Sequence, residues 1–268
     1  MPLRIAVCVK PVPDSGYYDK ITIDPVTKRV NRDGIPTVIN TMDKNAIEAA
    51  LQLREKHGGR VVSFSMAPDN AAEILKRVLA MGVDESYLCS DRMLGGADTW
   101  ATSYTLFKAL EKAGPVDIVI MGNQTEDGGT AQVPSQLGEW MGVPHLANVI
   151  AFDYEDGCMN VIAKTARGAT RYRLSLPAVI AVTRDINKPR IPSVMDVMKV
   201  SRKPMHILRA ADLDMNPDYI GLKGSPTQAG DIYSPDMSRK SEELCGDSDQ
   251  VAKRILDELR KAGIGVGQ

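Results

Sequence analysis

The sequence predicts an α/β protein: a doubly wound, mainly parallel sheet of the Rossmann-like, adenine-nucleotide-binding kind, with an antiparallel extension and an extended C-terminal arm. Three observations carry this prediction. Up to about residue 142, short apolar runs alternate with stretches of helical periodicity in four successive units, and such a series closes as a parallel sheet with right-handed crossovers. Between 145 and 183 the pattern is strand-like throughout, with turn signals at Asp156-Gly157 and Arg167-Gly168, as antiparallel strands require. From 210 to 249 the chain is polar and carries Gly and Pro, a composition that cannot build a core of its own. The expected division is an α/β domain over 1–205, containing a loop at 184–205, and a C-terminal arm with a helix over 206–268.

The elements follow in order. Residues 3–9 form a continuous apolar run, which suits a strand buried on both faces of a parallel sheet. It breaks at KPVPD. The segment ITIDPVTKRVNRDG alternates apolar and polar residues around Pro25 and predicts a small exposed hairpin at about 21–31. In NTMDKNAIEAALQLREKHGG, Ala46, Ile47, Ala50 and Leu51 recur at helical spacing behind an Asp43 cap, and Gly58-Gly59 ends the helix. The unit then repeats: strand RVVSFSM, Asp69 capping NAAEILKRVLAMG, strand ESYLCS, Asp98 capping TWATSYTLFKALEKAG, strand VDIVIMG, and Thr130 opening AQVPSQLGEWMG. At the far end, QVAKRILDELRKAG gives an amphipathic helix with Val251, Ile255, Leu256 and Leu259 on one face.

Composition excludes several classes of function. The chain has 268 residues, 33 basic against 34 acidic, so it lacks the positive surface that nucleic acid demands. No apolar run approaches the roughly 20 residues of a membrane span. The opening MPLRIAVCVKPVPD reads as a strand leading into a loop rather than a signal peptide, and the expected compartment is the cytoplasm. Cys8, Cys89, Cys158 and Cys245 are far apart without CxxC spacing, and His57, His145 and His206 offer no HxxxH or HExxH set. Neither a disulfide framework nor a metal site is expected, and no catalytic acid, base or nucleophile stands out.

In open α/β sheets ligands sit beyond the carboxyl ends of the strands, where the strand order reverses. Here those ends are residues 8–10, 65–66 and 122 onward. The stretch GNQTEDGGTAQVPSQLGEW begins at the last of them. Gly128-Gly129 lets backbone approach a ligand without a Cβ clash, and the helix start beyond it presents unsatisfied N–H groups to an anion. The loop is neither GxxxxGK[ST] nor GxGxxG. With no lysine and with Glu126-Asp127, it is poorly equipped for a triphosphate, and it suits a mononucleotide or dinucleotide held by backbone amides. A plain left-handed turn followed by a helix cap is the alternative.

The segments IAVCVKPVPD, GIPTVINTMDKNAIEAALQLRE, VLAMGVDESYLCSDRMLGGADTWATSYTLFKAL, GNQTEDGGTAQVPSQLGEWMGVP and INKPRIPSVMDVMK occur in that order between residue 4 and about 228. Together they resemble the beta subunit of an electron-transferring flavoprotein, of the electron-bifurcating group. The resemblance implies pairing with a larger alpha subunit that carries a mobile FAD domain. It implies AMP in the beta subunit of housekeeping members and a second FAD in bifurcating ones. Nucleotide contacts would fall on Cys8, Asn40, Thr41, Met42, Asp43 and Met66, and along Gln124, Thr125, Glu126, Asp127, Gly128, Gly129, Thr130, Ala131, Gln132, Val133 and Ser135. The stretch SDRMLGGADTWATSYTL is similar to that of members with a flavin here, where Gly96, Ala97, Asp98 and Thr99 would lie near the isoalloxazine and the nicotinamide. Spacing alone also fits a plain turn at Gly95-Gly96 and a plain cap at Asp98. Members often read NPF or NPY at Asn40-Thr41-Met42, and a basic residue where this chain has Asn123.

With FAD bound, the resemblance implies that hydride arrives from NADH. One electron then leaves to ferredoxin or flavodoxin, and the other passes through the alpha-subunit FAD to a partner flavin-dependent dehydrogenase, a chemistry of anaerobic metabolism. Residues 184–205 are basic and stiffened by Pro189, Pro192 and Pro204, and they carry Val194, Met195, Val197 and Met198. Such a loop suits docking. It resembles the family's recognition loop, with Val194 at the apolar anchor and Pro192, Met195 and Met198 beside it; the alternative is a linker packed on its own domain. The C-terminal arm and helix are expected on the alpha subunit. Two rival readings remain: a housekeeping carrier with structural AMP, and a free-standing nucleotide sensor of the universal-stress-protein type.

Overall fold

A computed structural model describes residues 2–20, 22–23, 30–31, 34–228, 230, 238 and 241–265. The chain divides into two compact units, residues 1–230 and 231–268. The described elements of the first unit are β1 (Leu3–Cys8), β2 (Pro11–Pro13), β3 (Thr22–Ile23), β4 (Val30–Asn31), β5 (Thr37–Ile39), α1 (Thr41–His57), β6 (Gly59–Met66), α2 (Ala72–Ala80), β7 (Glu85–Cys89), α3 (Thr99–Ala113), β8 (Ile118–Gly122), α4 (Val133–Met141), β9 (His145–Glu155), β10 (Cys158–Thr165), β11 (Gly168–Ser175), β12 (Ala178–Val182), α5 (Val194–Lys199) and β13 (Met205–Leu208). The second unit contains α6 (Ser248–Lys261).

Nine strands form one sheet in the order β11-β10-β9-β12-β8-β1-β6-β7-β13. Seven of them, from β9 to β13, pair in parallel. Only the contacts of β10 with β9 and β11 are antiparallel. The central strands are apolar because both of their faces are covered: every residue of β8 (IVIMG) and β12 (AVIAV) is buried. Alternate side chains feed two cores. Ile5, Val7, Ile118, Ile120 and Ile180 pack with Ile47 and Leu51 of α1 and Leu75 and Leu79 of α2. Ala6, Cys8, Val62, Phe64, Val119 and Met121 pack with Tyr104 and Leu110 of α3 and Leu137 of α4. The doubly wound, mainly parallel fold with its antiparallel extension is therefore as the sequence predicts.

The chain builds outward from β1 through β6 to β7, then crosses back to place β8 on the other side of β1. The strand order reverses between β1 and β8. At such a point the two connections leave in opposite directions and open a crevice at the carboxyl ends.

Several local expectations need correction. Asp43 is not the cap of α1: Asn40 stands at the cap position, and Asp43 is buried in the first turn. Asp69 makes no cap hydrogen bond to α2; it opens a 3-10 turn, and its carboxylate pairs with Arg209 at 2.7 Å. Thr130 does not open α4, which starts at Val133 with Gln132 at the cap. Gly129 (φ 62°) and Ala131 (φ 54°) are left-handed, and that geometry cannot propagate an α-helix. Asp98 does cap α3, accepting from the Ala101 N–H at 3.1 Å. In the expected hairpin at 21–31, β3 and β4 pair antiparallel, while residues 24–29 lie outside the described residues, as do parts of the arm at 229, 231–237, 239 and 240.

Candidate functional site

A cavity of about 300 Å³ lies at the reversal point, at the small end of the roughly 300–1,000 Å³ typical of ligand sites. Its floor is made by residues 8–10 after β1, Met66 at the end of β6, and Met121 and Gly122 at the end of β8. The strand ends bring both kinds of group a nucleotide needs: an apolar floor for a base, and backbone free of the sheet for polar contacts. One wall comes from residues 97–99 at the start of α3, the other from the loop 123–134.

Asn40 and Asp43 hold that loop in place. Asp43 accepts from the Lys10 N–H at 2.7 Å and from the Asn40 amide at 3.0 Å. The same Asn40 amide donates to the Gln124 carbonyl at 3.0 Å, and its oxygen accepts from the Glu126 N–H at 3.1 Å. Asn40 thus joins the start of α1 to the glycine loop through two bonds, and is itself held by the third, to Asp43. Burial pushes the Asp43 carboxyl up to about 7, opposed by donors from Lys10, Asn40 and Gly122. Burial, with Asp43 nearby, also drives the Cys8 thiol upward, so Cys8 acts here as a small apolar surface rather than as a nucleophile.

The loop's two carboxylates are neutralised. Lys10 Nζ pairs with Asp127 at 2.8 Å and Arg184 with Glu126 at 2.7 Å. Burial raises the Asp127 carboxyl, but the Lys10 contacts outweigh it and leave it below the ordinary carboxylate range. Glu126 and Asp127 therefore do not present bare negative charge to a ligand, contrary to the repulsion expected of the loop read alone. Beyond them, Thr130, Ala131 and Gln132 line the cavity. Among the described residues, no backbone carbonyl accepts from their N–H groups. Gly129 and Ala131 are left-handed, and successive backbone N–H groups in turns of this kind make concavities that favour anions. The chemistry of this wall fits a phosphate, and the apolar floor fits a base.

On the opposite wall Thr99 donates to the Gln132 side chain at 2.9 Å, joining the two sides of the cavity. Asp98 accepts from both the N–H and the hydroxyl of Thr227, at 3.0 and 2.7 Å. Leu222 donates its N–H to the Gly95 carbonyl, so residues 222–227 pack on the turn at 95–98. Tyr219 is fixed by edge contact with Tyr104, in an aromatic group that includes Trp140. A second cavity, of about 590 Å³, lies beside the first and shares Met66 and Ala97 with it.

The expected site residues divide accordingly. Cys8, Asp43, Met66, Ala97, Asp98, Thr99, Gln124, Thr125, Gly128, Thr130, Ala131, Gln132 and Val133 line the first cavity. Gly96 lines the second. Asn40, Thr41, Met42, Glu126, Asp127, Gly129 and Ser135 are not among the lining groups; Asn40 and the two acidic residues shape the loop instead. The expected contacts leave out Lys10, Asn123 and Thr102, all of which line the cavity. Lys10 lies within the strand end placed at residues 8–10, and Asn123 is noted there only for the basic residue it replaces. Asn123 accepts from the Asn148 N–H at 2.8 Å, a long-range contact that no local pattern announces.

The loop at 184–205 is anchored at its base and bare at its tip. Asn45 and Asn187 bond reciprocally, at 2.9 and 3.0 Å. Arg190 grips Glu48 (2.7 Å) and Glu55 (2.7 Å) on α1. Beyond it Ile191 is 92% exposed, Val194 77% and Met198 71%, so the apolar residues are not packed on their own domain. Replacing Arg190 with Met strands the nearly buried Glu48 carboxylate and is expected to cost about 2–3 kcal/mol. A fall in the urea midpoint checks this, and an unchanged midpoint contradicts it.

Comparison with known proteins agrees with the geometry. The model of the electron transfer flavoprotein domain matches residues 27–213. The electron transfer flavoprotein subunit beta of Thermoanaerobacterium thermosaccharolyticum is 38% identical over 258 residues, covering 96% of this chain and 98% of that one. Subunit CarD of the caffeyl-CoA reductase-Etf complex of Acetobacterium woodii is 37% identical over 264 residues, 98% of this chain and 100% of the relative. Protein FixA of Azorhizobium caulinodans is 35% identical over 241 residues, 87% of this chain and 85% of the relative. A crevice at the strand-order reversal, a domain match over most of the chain and relatives aligned nearly end to end lead to one conclusion: this chain belongs to the electron transfer flavoprotein family, among its beta subunits.

Proposed function

We propose that this chain is the beta subunit of an electron-bifurcating flavoprotein and that it binds FAD across the two adjoining cavities. The observation that supports this reading is that the two cavities share Met66 and Ala97 in their walls, so that room beyond a mononucleotide lies beside the first. The adenosine diphosphate half would lie on the strand ends, against residues 8–10, Asp43 and the lining residues of the glycine loop, 122–125, Gly128 and 130–133. The remainder would extend past Ala97 towards Gly96 and Gly95. Bound there, FAD would supply two-electron acceptance from NADH and one-electron release.

The protein's part is position and exclusion of water. Asn40 holds the loop, the amides of 130–132 face the phosphates, and the turn at 95–98, braced by Thr227 and Leu222, fixes the wall beside the second cavity. CarD, which belongs to a caffeyl-CoA reductase-Etf complex, supports a role within a larger redox assembly. In this reading the low-potential electron goes to a ferredoxin or flavodoxin, and the other goes through the FAD of a paired alpha subunit to a flavin-dependent dehydrogenase. The complex works in the cytoplasm. Among the described residues no helix is long and apolar enough to cross a membrane.

The small volume of the first cavity favours a second reading, a housekeeping carrier with AMP alone at the strand ends. Counting nucleotides released from the co-purified complex decides between them. Two FAD per alpha-beta pair, with bleaching of both on NADH addition, is the expected result; one FAD and one AMP establishes the carrier instead. Family membership leaves no role for a free-standing universal-stress-type sensor.

The exposed tip around Pro192, Val194, Met195 and Met198 is the proposed dehydrogenase contact, and α6, with Ile255 and Leu256 exposed, the proposed contact of the arm with the alpha subunit. Replacing Val194 with Asp is expected to lower the rate of partner reduction at least tenfold, the scale on which interface hot spots act, with nucleotide content unchanged. Equal loss of both would show that the loop supports the fold rather than the partner.

A further inference from the structure

Lys10 occupies a position that neither the glycine loop nor the family match explains. Its backbone is held on both sides: its N–H donates to Asp43 at 2.7 Å, and its carbonyl accepts from the Asn40 N–H at 3.1 Å. Only the side chain is free to adjust. Lys10 and Gly128 both line the cavity, and the Lys10 ammonium lies 3.9 Å from where a Cβ on Gly128 would stand. The same ammonium meets Asp127 Oδ1 at 2.8 Å, the same oxygen that accepts from the Gly128 N–H at 2.8 Å.

An ion pair with one partner half exposed contributes about 0–1 kcal/mol to stability, which is little reason to place a lysine at a strand end inside a crevice. An ammonium carries three donors. One is taken by Asp127, and the others remain for a ligand in the cavity that Lys10 lines. Independently, Thr130, Ala131 and Gln132 bring to the same cavity amides that no described backbone carbonyl accepts. A cation and a set of amides on one concave surface match a phosphate group, which takes both charge and several hydrogen bonds.

We propose that Lys10 binds the phosphate of the nucleotide, with Asp127 aiming its ammonium beside Gly128. This rests on the nucleotide reading above and adds to it the charged contact that the loop sequence lacks. Asp127 is then a positioning residue, and the cationic group of the site comes from the end of β1 rather than from the glycine loop.

Calorimetric titration of the full-length protein, freed of bound nucleotide, with AMP and with adenosine tests this. Lys10→Met is expected to weaken AMP at least tenfold, since a hydrogen bond to a charged group is worth about 1.5–3 kcal/mol, and to leave adenosine within about twofold. Lys10→Arg is expected to retain most of the AMP affinity. Unchanged AMP binding, or equal weakening of AMP and adenosine, overturns the role of Lys10 and leaves the nucleotide site standing. Wild-type protein that takes neither compound removes the nucleotide site itself, and Lys10 with it. Should Lys10→Met fail to fold, wild-type protein decides alone: AMP affinity must fall as KCl is raised while adenosine affinity holds, and salt-independent AMP binding refutes the proposal.

Discussion

Replacing Gly122 with alanine is expected to abolish nucleotide retention and to lower folding stability by about 2–4 kcal/mol. A Cβ at this position would lie 2.3 Å from Asp43 Oδ1 and 2.9 Å from the backbone carbon of Met42. Neither neighbour can yield. Asp43 is buried and tied to Lys10 and Asn40, and Met42 is in the first turn of α1. Gly122 itself ends β8, paired with Val182 in the middle of the sheet. The added methyl group must therefore push the start of α1 away from the strand end. That movement breaks the Asn40 bonds to Gln124 and Glu126 and releases the loop. Urea denaturation and the nucleotide content of the purified protein measure the two effects. A variant with wild-type stability and full nucleotide would show that α1 is not held as tightly as these distances require. Gly128→Ala is the informative contrast. A Cβ there meets nothing nearer than 3.6 Å, so stability should change by less than about 1 kcal/mol.

Gly122 also illustrates how much the sequence reveals. Strand and helix order was legible because the periodicity of each element is written locally, in runs such as IVIMG, although of the four expected caps only Asp98 caps its helix. The position of the crevice was legible for the same reason: the strand ends follow from the strands, and the reversal of order locates the crevice among them. What could not be read were consequences of packing. Asp43 resembles a helix cap in one dimension, but the fold turns it inward to the Lys10 N–H, 33 residues away. Thr130 resembles a cap because it follows two glycines, yet left-handed backbone at Ala131 delays the helix by three positions. The glycine loop contains no lysine, but the sheet delivers one to it, because β1 and β8 are neighbours in space and more than a hundred residues apart in sequence.

The folded protein is expected to lose stability as pH rises from about 4 to about 7, through Asp43, and the Asp43→Asn variant is expected to lack that slope. The Asp43 carboxyl is pushed from 3.8 up to about 7 by burial. Below pH 4 it is protonated in both the folded and the unfolded chain. Between the two values the unfolded chain ionises first, and the folded chain holds the extra proton, so stability declines with rising pH. Above about 7 the carboxyl is charged in both states and the full penalty applies, of the order of 4 kcal/mol for a displacement of this size. Asparagine removes the titration but turns one acceptor into a donor, facing either the Lys10 N–H or the Asn40 amide. That mismatch costs about 1–3 kcal/mol at every pH. The wild type should therefore be clearly the more stable at pH 5, and its advantage should shrink or reverse by pH 8. Urea midpoints measured across this range for both proteins provide the test. Parallel pH profiles would mean that Asp43 ionises in the folded state as an ordinary carboxylate does, with enough donors around it to offset its burial. In that case the start of α1 would carry a fixed negative charge beside the nucleotide, and the Lys10 ammonium would be needed to balance it before any phosphate could enter.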